Sequence, residues 1–158
     1  EKRHVFTMGG ENKLVSKGNK KLIVELNGWK IAPMICYDLR FPVWSKNTIT
    51  NDGSYAYDLA IYVSNWPSVR NYPWEMLLIS RALENLSYIA GVNRVGYDRQ
   101  GTVYSGDSMI SDPKGKVIEK ADEGNERSIS VVLSYGELKR FREKFNVGPD
   151  WDQFEILV

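Results

Sequence analysis

Cysteine and histidine are almost missing from this sequence: its 158 residues contain one of each. A lone cysteine excludes an intrachain disulfide, and one Cys with one His cannot supply a usual zinc ligand set. An excess of one charge is missing too. Lys and Arg number 21 against 20 Asp and Glu, a net charge of +1, with no basic stripe to attract nucleic acid or anionic lipid. No apolar run approaches the length of a membrane span, no signal-peptide pattern opens the chain, and there are no repeats, low-complexity tracts or Pro/Gly/Ser linkers. What is present is ordinary for a folded protein: 42% hydrophobic and 26% charged residues, at a length that suits one compact domain. The reading is a soluble protein of a reducing, cytoplasmic compartment that binds neither nucleic acid nor membrane. The chain opens on Glu-Lys-Arg-His-Val-Phe, with no initiating Met.

The pattern along the chain predicts alternating strands and helices. Leu22–Leu26 and Trp29–Ile35 are β-rich and joined by Asn27-Gly28, the strongest short hairpin signal because both turn residues need positive φ. Phe41-Pro42-Val43-Trp44 reads as a helix entry with proline in the first turn. Asp58–Ser64 and Tyr88–Val95 are nearly continuous apolar runs, which predict strands buried on both faces. A helical stretch follows Pro73, with Leu77, Ala82 and Leu86 on its buried face. Val103–Ser111 and Lys116–Ala121 form a second hairpin around Asp112-Pro113-Lys114-Gly115, and Ile129–Leu133 reads as a further strand. Ser134 with Glu137 is a capping box that opens a charged helix. The aromatic, acidic tail from Asn146 is a candidate for docking on a neighbour. Together these predict an α/β fold with a mixed sheet.

Cys36 ends the strand Trp-Lys-Ile-Ala-Pro-Met-Ile. At a strand-to-helix turn, a nucleophile stands exposed at the sheet edge, and backbone N–H groups at the following helix start can face a developing oxyanion. The competing reading is a small buried hydrophobe. Asp38 and Arg40 lie just beyond, spaced to pair at the turn or to be solvated. Lys2 is either a surface charge or a buried cation able to stabilise a thiolate and a tetrahedral oxyanion. Arg81 and Glu84 sit one helical turn apart and read as a structural ion pair. The sequon Asn85-Leu86-Ser87 lies in a predicted helix and is discounted.

These segments, in this order, resemble the carbon–nitrogen hydrolase (nitrilase) superfamily. Lys2-Arg3-His4-Val5-Phe6 resembles its catalytic-lysine motif and Cys36-Tyr37-Asp38-Leu39-Arg40-Phe41-Pro42 its nucleophile motif. Ser64-Asn65-Trp66-Pro67, Arg81-Ala82-Leu83-Glu84-Asn85, Asn93-Arg94-Val95-Gly96, Tyr104-Ser105-Gly106-Asp107-Ser108 and Asp112-Pro113-Lys114-Gly115 continue the match. The sequence is most similar to the omega-amidase branch, which hydrolyses the terminal amide of 2-oxoglutaramate and related 2-oxo acid amides. The resemblance implies an α-β-β-α four-layer sandwich, of which residues 1–158 are the C-terminal portion. It implies catalysis without metal or organic cofactor, on a small amide substrate, in a homodimer to which Trp151 and Phe154 contribute.

The same resemblance implies roles residue by residue. Cys36 is the nucleophile, and Lys2 with the backbone N–H of Tyr37 stabilises the oxyanion. Glu11 is an auxiliary glutamate beside the lysine, while the general-base glutamate lies upstream of Lys2. Asn65 and Trp66 line the substrate pocket, and Asp38, Arg40, Arg81 and Glu84 are structural neighbours of the site. Arg70, Tyr72 and Trp74 are candidates to contact a substrate carboxylate or cover the pocket. Three alternatives stay open: a papain-like Cys–His hydrolase with His4 as base, a non-catalytic interaction subunit that kept the fold, and a hydrolase of another small amide or nitrile.

Overall fold

A computed structural model describes residues 1–157. Its centre is a six-stranded mixed sheet with strand order β1-β2-β3-β4-β7-β8. The hairpin β1 (Val24–Leu26) and β2 (Trp29–Ile35) turns at Asn27-Gly28, where both residues take positive φ, 50° and 79°, as the pair predicted. Strand β2 runs parallel to β3 (Leu59–Ser64), and β3 parallel to β4 (Tyr88–Asn93). The crossover from β2 to β3 carries a 3-10 turn, Cys36–Arg40, and the one-turn helix α1 (Pro42–Ser45) with proline in its first turn. The crossover from β3 to β4 is the helix α2 (Asn71–Asn85).

Helix α2 buries Trp74, Leu78 and Ala82, spaced i, i+4, i+8, together with Arg81 and Asn85. The buried stripe therefore runs through Trp74 and Leu78 rather than the predicted Leu77, which is only partly covered. It packs on the sheet face formed by Ala32, Met34, Ala60, Tyr62 and Ile89. Gly91 of β4 lets the helix approach: a Cβ there would lie 2.4 Å from Leu78 and 2.7 Å from Trp74. The sequon is structural, since Asn85 is fully buried and its Oδ1 accepts from the Asn47 N–H.

Four of the strands read from the sequence differ in the structure. β3 and β4 alternate instead of being covered on both faces: Val63 is 58% and Val92 49% exposed. Ile35 and Val92 both pair with Val63, so these side chains share an apolar sheet face that α2 does not cover. The described residues thus supply a sheet and the helix layer on one side of it. The segment Val103–Ser111 breaks at Gly106-Asp107, both at positive φ. Its first part, β6 (Val103–Ser105), pairs with β5 (Val95–Tyr97) in a separate two-stranded ribbon. Its second part, β7 (Met109–Ser111), joins the main sheet between β4 and β8 (Val117–Lys120). Residues 129–133 form no strand; Val132 is 97% exposed. Their β-branched composition meets no partner edge, and that propensity acts only through neighbours.

Helix α3 (Tyr135–Lys144) starts where its cap predicts, with Ser134 Oγ accepting from the Glu137 N–H. It is anchored by Arg142, which bonds Asp58 at 2.6 Å and the carbonyls of Tyr57 and Leu86. The tail returns to its own chain rather than offering all its aromatics to a neighbour. Trp151 lies against Tyr55 and under the Lys46 ammonium, and Ile156 packs on the core, while Phe154 is 45% exposed. No helix among the described residues is long and apolar enough to cross a membrane.

Candidate active site

The carboxyl ends of β2, β3 and β4 converge on one edge of the sheet, the position where open α/β sheets bind ligands. Cys36 follows β2 directly and sits at φ 45°. A positive φ is costly for a residue with a side chain and persists only where surrounding structure imposes it. Here the enforcing contacts are Asp38 and Arg81. The buried Asp38 carboxylate accepts from the Ile35 N–H on one oxygen, and on the other from the His4 N–H and Nδ1, both at 2.9 Å. Arg81 donates to the Leu39 carbonyl at 2.6 Å and to Glu84 at 2.8 Å. Asp38 bonds the start of the Cys36 turn and Arg81, itself paired with Glu84, bonds its Leu39 carbonyl.

Cys36 is half-buried, and its thiol donates to the Asn65 carbonyl at 3.8 Å. It lines a cleft of about 670 Å³ together with Lys2, Glu11, Tyr37, Arg40, Asn65, Trp66 and Arg70. Lys2 and Glu11 are joined at 2.5 and 2.6 Å, and Glu11 also accepts from the Phe6 N–H at 2.6 Å. Burial works to raise the Glu11 carboxyl, but the Lys2 ammonium and the Phe6 amide outweigh it and hold the group below its ordinary value. Glu11 is the sole carboxylate in the lining. Tyr37 is the second residue of the 3-10 turn, within the stretch where N–H groups have no partner inside the helix.

Trp66 belongs to the core and to the cleft at once. It is buried against Trp74, with ring centroids 5.5 Å apart, and it still forms part of the cleft wall. Arg40 lies over its ring at 4.9 Å, so this side chain faces the cleft instead of pairing with Asp38. Of the three residues after the Asn65-Trp66 segment, Arg70 lines the cleft, whereas Tyr72 points to solvent and Trp74 is fully buried with its indole N–H on the Asp107 carbonyl. His4 does not line the cleft. Its ring stacks on Phe41 at 3.7 Å and is latched to Asp38, which removes the geometric basis for a Cys36–His4 dyad. Among the described residues no group of His, Cys, Asp and Glu side chains is arranged to hold a metal ion.

One residue of the site had no role assigned from sequence. Asn93, at the end of β4, accepts the Trp66 N–H at 2.7 Å and donates to the carbonyls of Trp66 and Gly106 at 3.0 and 2.9 Å. It thereby extends the β3–β4 ladder past its last registered pair and fixes the Asn65-Trp66 segment beside the nucleophile. The signal available was a polar residue ending a run of apolar ones. Phe6, Met8, Ile35 and Val63 complete the apolar side of the cleft.

Residues 1–143 match the model of the carbon–nitrogen hydrolase family. The chain is 47% identical over 156 residues to omega-amidase YafV of Escherichia coli K12, covering 99% of this chain and 59% of that protein. It is 35% identical over 151 residues to the 2-oxoglutaramate amidase of Bacillus subtilis, covering 94% of this chain and 55% of the relative. The solved structure of XC1258 from Xanthomonas campestris, a CN-hydrolase superfamily protein, superposes with a TM-score of 0.95 at 40% identity, over 99% of this chain and 59% of that one. The chain therefore spans less than two thirds of the length of these relatives.

Proposed function

The chain belongs to the carbon–nitrogen hydrolase family, in its omega-amidase-like branch, and from that premise we propose that it carries the nucleophile half of an amidase site. The reaction is hydrolysis of the terminal carboxamide of a small 2-oxo acid such as 2-oxoglutaramate. The observation that carries this reading is the convergence of Cys36 and the Lys2–Glu11 pair on one cleft. The thiolate of Cys36 attacks the amide carbonyl, and the carbonyl oxygen becomes an oxyanion. Lys2 and the Tyr37 N–H are the donors for that charge. Collapse expels the amide nitrogen, which takes up the proton given up by the Cys36 thiol and leaves as ammonia, with a thioester remaining; water then cleaves it to the carboxylic acid and restores the thiol. Glu11 holds Lys2 in place and orients substrate and water. The names of the two amidase relatives support the substrate class.

The test uses the protein at the length of its relatives. Ammonia release from 2-oxoglutaramate is expected, with complete loss in Cys36→Ala. Release that survives Cys36→Ala overturns the thioester reading.

A further inference from the structure

Behind the Trp66 wall lies a charged network that the chemistry does not use. Asp107, in the turn between β6 and β7, sits at φ 54° and is 2% exposed. Its Oδ1 pairs with the Lys120 ammonium at 3.1 Å, while its Oδ2 is buried without a hydrogen-bond partner among the described residues. Lys120, the last residue of β8, also pairs with Glu75 of α2. Burial works to lower the Lys120 ammonium, but its bonds to Glu75 and Asp107 outweigh this and hold the group above its ordinary value. It therefore stays charged at neutral pH and bridges β8, α2 and the turn.

A buried, half-paired carboxylate on a left-handed backbone is a poor route to stability. Such strain persists where surrounding structure imposes it, and it collects at functional sites. The other bonds of the turn show what its position controls. The Asp107 carbonyl accepts the Trp74 indole N–H at 2.9 Å, and Trp74 packs on Trp66. On either side of Asp107, the Gly106 carbonyl accepts from Asn93 Nδ2 and the Ser108 Oγ accepts the Asn93 N–H, both at 2.9 Å. Asn93 in turn bonds the Trp66 N–H and carbonyl. Three consecutive residues thus grip both supports of Trp66, whose neighbour Asn65 offers its carbonyl to the Cys36 thiol. We propose that Asp107 and Lys120 are positioning residues: their ion pair fixes the turn at residues 106–108, and the turn sets the Asn65-Trp66 wall against which Cys36 and the substrate are aligned. This rests on the amidase reading of the cleft.

The experiment uses the protein at the length of its relatives, with 2-oxoglutaramate as substrate and iodoacetamide as the probe of Cys36. Lys120→Met and Asp107→Asn each lower kcat per folded molecule about ten- to a hundredfold, the cost of a small misplacement of reacting groups, with KM little changed. The alkylation rate of Cys36 shifts in the same variants. Lys120→Arg, which keeps the charge, recovers most of both. Lys116→Met, at an exposed lysine in the turn before β8, alters neither. A purely structural ion pair gives a different result: fewer folded molecules, each with wild-type kcat and alkylation rate. That result overturns the proposal, and so does a Lys120→Arg variant no better than Lys120→Met. If Asp107→Asn does not fold, Lys120→Met decides, since that side chain is 35% exposed. A wild type that releases no ammonia overturns the amidase reading instead, and the alkylation rates then decide the positioning role.

Discussion

At the scale of single residues, the site is built by pairing charges so that one functional group is held and another left free. Glu11 is the clearest case, because it faces both the Lys2 ammonium and the Phe6 amide. Its carboxyl is held below the ordinary value of 4.5, so the folded state binds this proton more weakly than the unfolded state does. The contribution of the contact to stability is therefore complete above that value and is lost as pH falls through the lower folded one. Glu11→Gln should be less stable than wild type by a constant amount at neutral pH, and the gap should close in acid. Urea midpoints measured across that range check the sign; a gap that widens in acid contradicts it. The same variant leaves Lys2 unanchored and should lower kcat for 2-oxoglutaramate by about tenfold, ~1.4 kcal/mol of transition-state stabilisation. Motifs singled out Cys36 and Lys2 in the sequence and the family resemblance added Glu11, and the structure brings the three to one cleft. The role of His4 was not legible, because a lone histidine beside a lone cysteine fits a catalytic pair equally well until a third group, Asp38, is seen to claim it.

At the scale of elements, the fold is legible wherever local chemistry dictates geometry and fails where pairing is decided at long range. Asn27-Gly28, Pro42 and the Ser134 cap act on their own turns, and each stands where its sequence placed it. The strand expected at 129–133 required a partner edge that residue types do not reveal. The single strand read across 103–111 required knowing that Asn93 would bond the Gly106 carbonyl at its break. That contact makes Asn93 the joint between three elements: the end of β3, the end of β4 and the turn between β6 and β7. Asn93→Ala leaves the Trp66 N–H and two carbonyls without partners and should cost about 1–3 kcal/mol, read from the urea midpoint. Because the Asn65 carbonyl that receives the Cys36 thiol is freed with it, the rate of Cys36 alkylation should also change. Full stability together with an unaltered alkylation rate would contradict the assignment of Asn93 as a positioning residue.

At the scale of the whole molecule, the decisive feature is the sheet face opposite α2. Ile35, Val63 and Val92 stand side by side on β2, β3 and β4 with 41%, 58% and 49% exposure. Ile35 and Val63 also line the cleft, so the uncovered face and the open side of the site are one continuous surface. Exposed apolar surface of this kind is what a soluble protein normally covers, and the four-layer sandwich implied by the sequence would cover it with a second sheet. A single substitution separates the two situations. In the 158-residue chain, Val63→Lys replaces an exposed side chain by another, so stability should move by no more than about 0.5 kcal/mol, while binding of an anilinonaphthalene dye to the face should fall. In a protein of the relatives' full length, a layer seated on Val63 would make the same lysine a buried, unpaired cation and cost about 3 kcal/mol or more, with little dye bound even before substitution. Unfolding midpoints and dye fluorescence of the two lengths, with and without Val63→Lys, decide the matter. Equal small effects at both lengths would mean that this face stays open and that the cleft is complete as the chain already forms it.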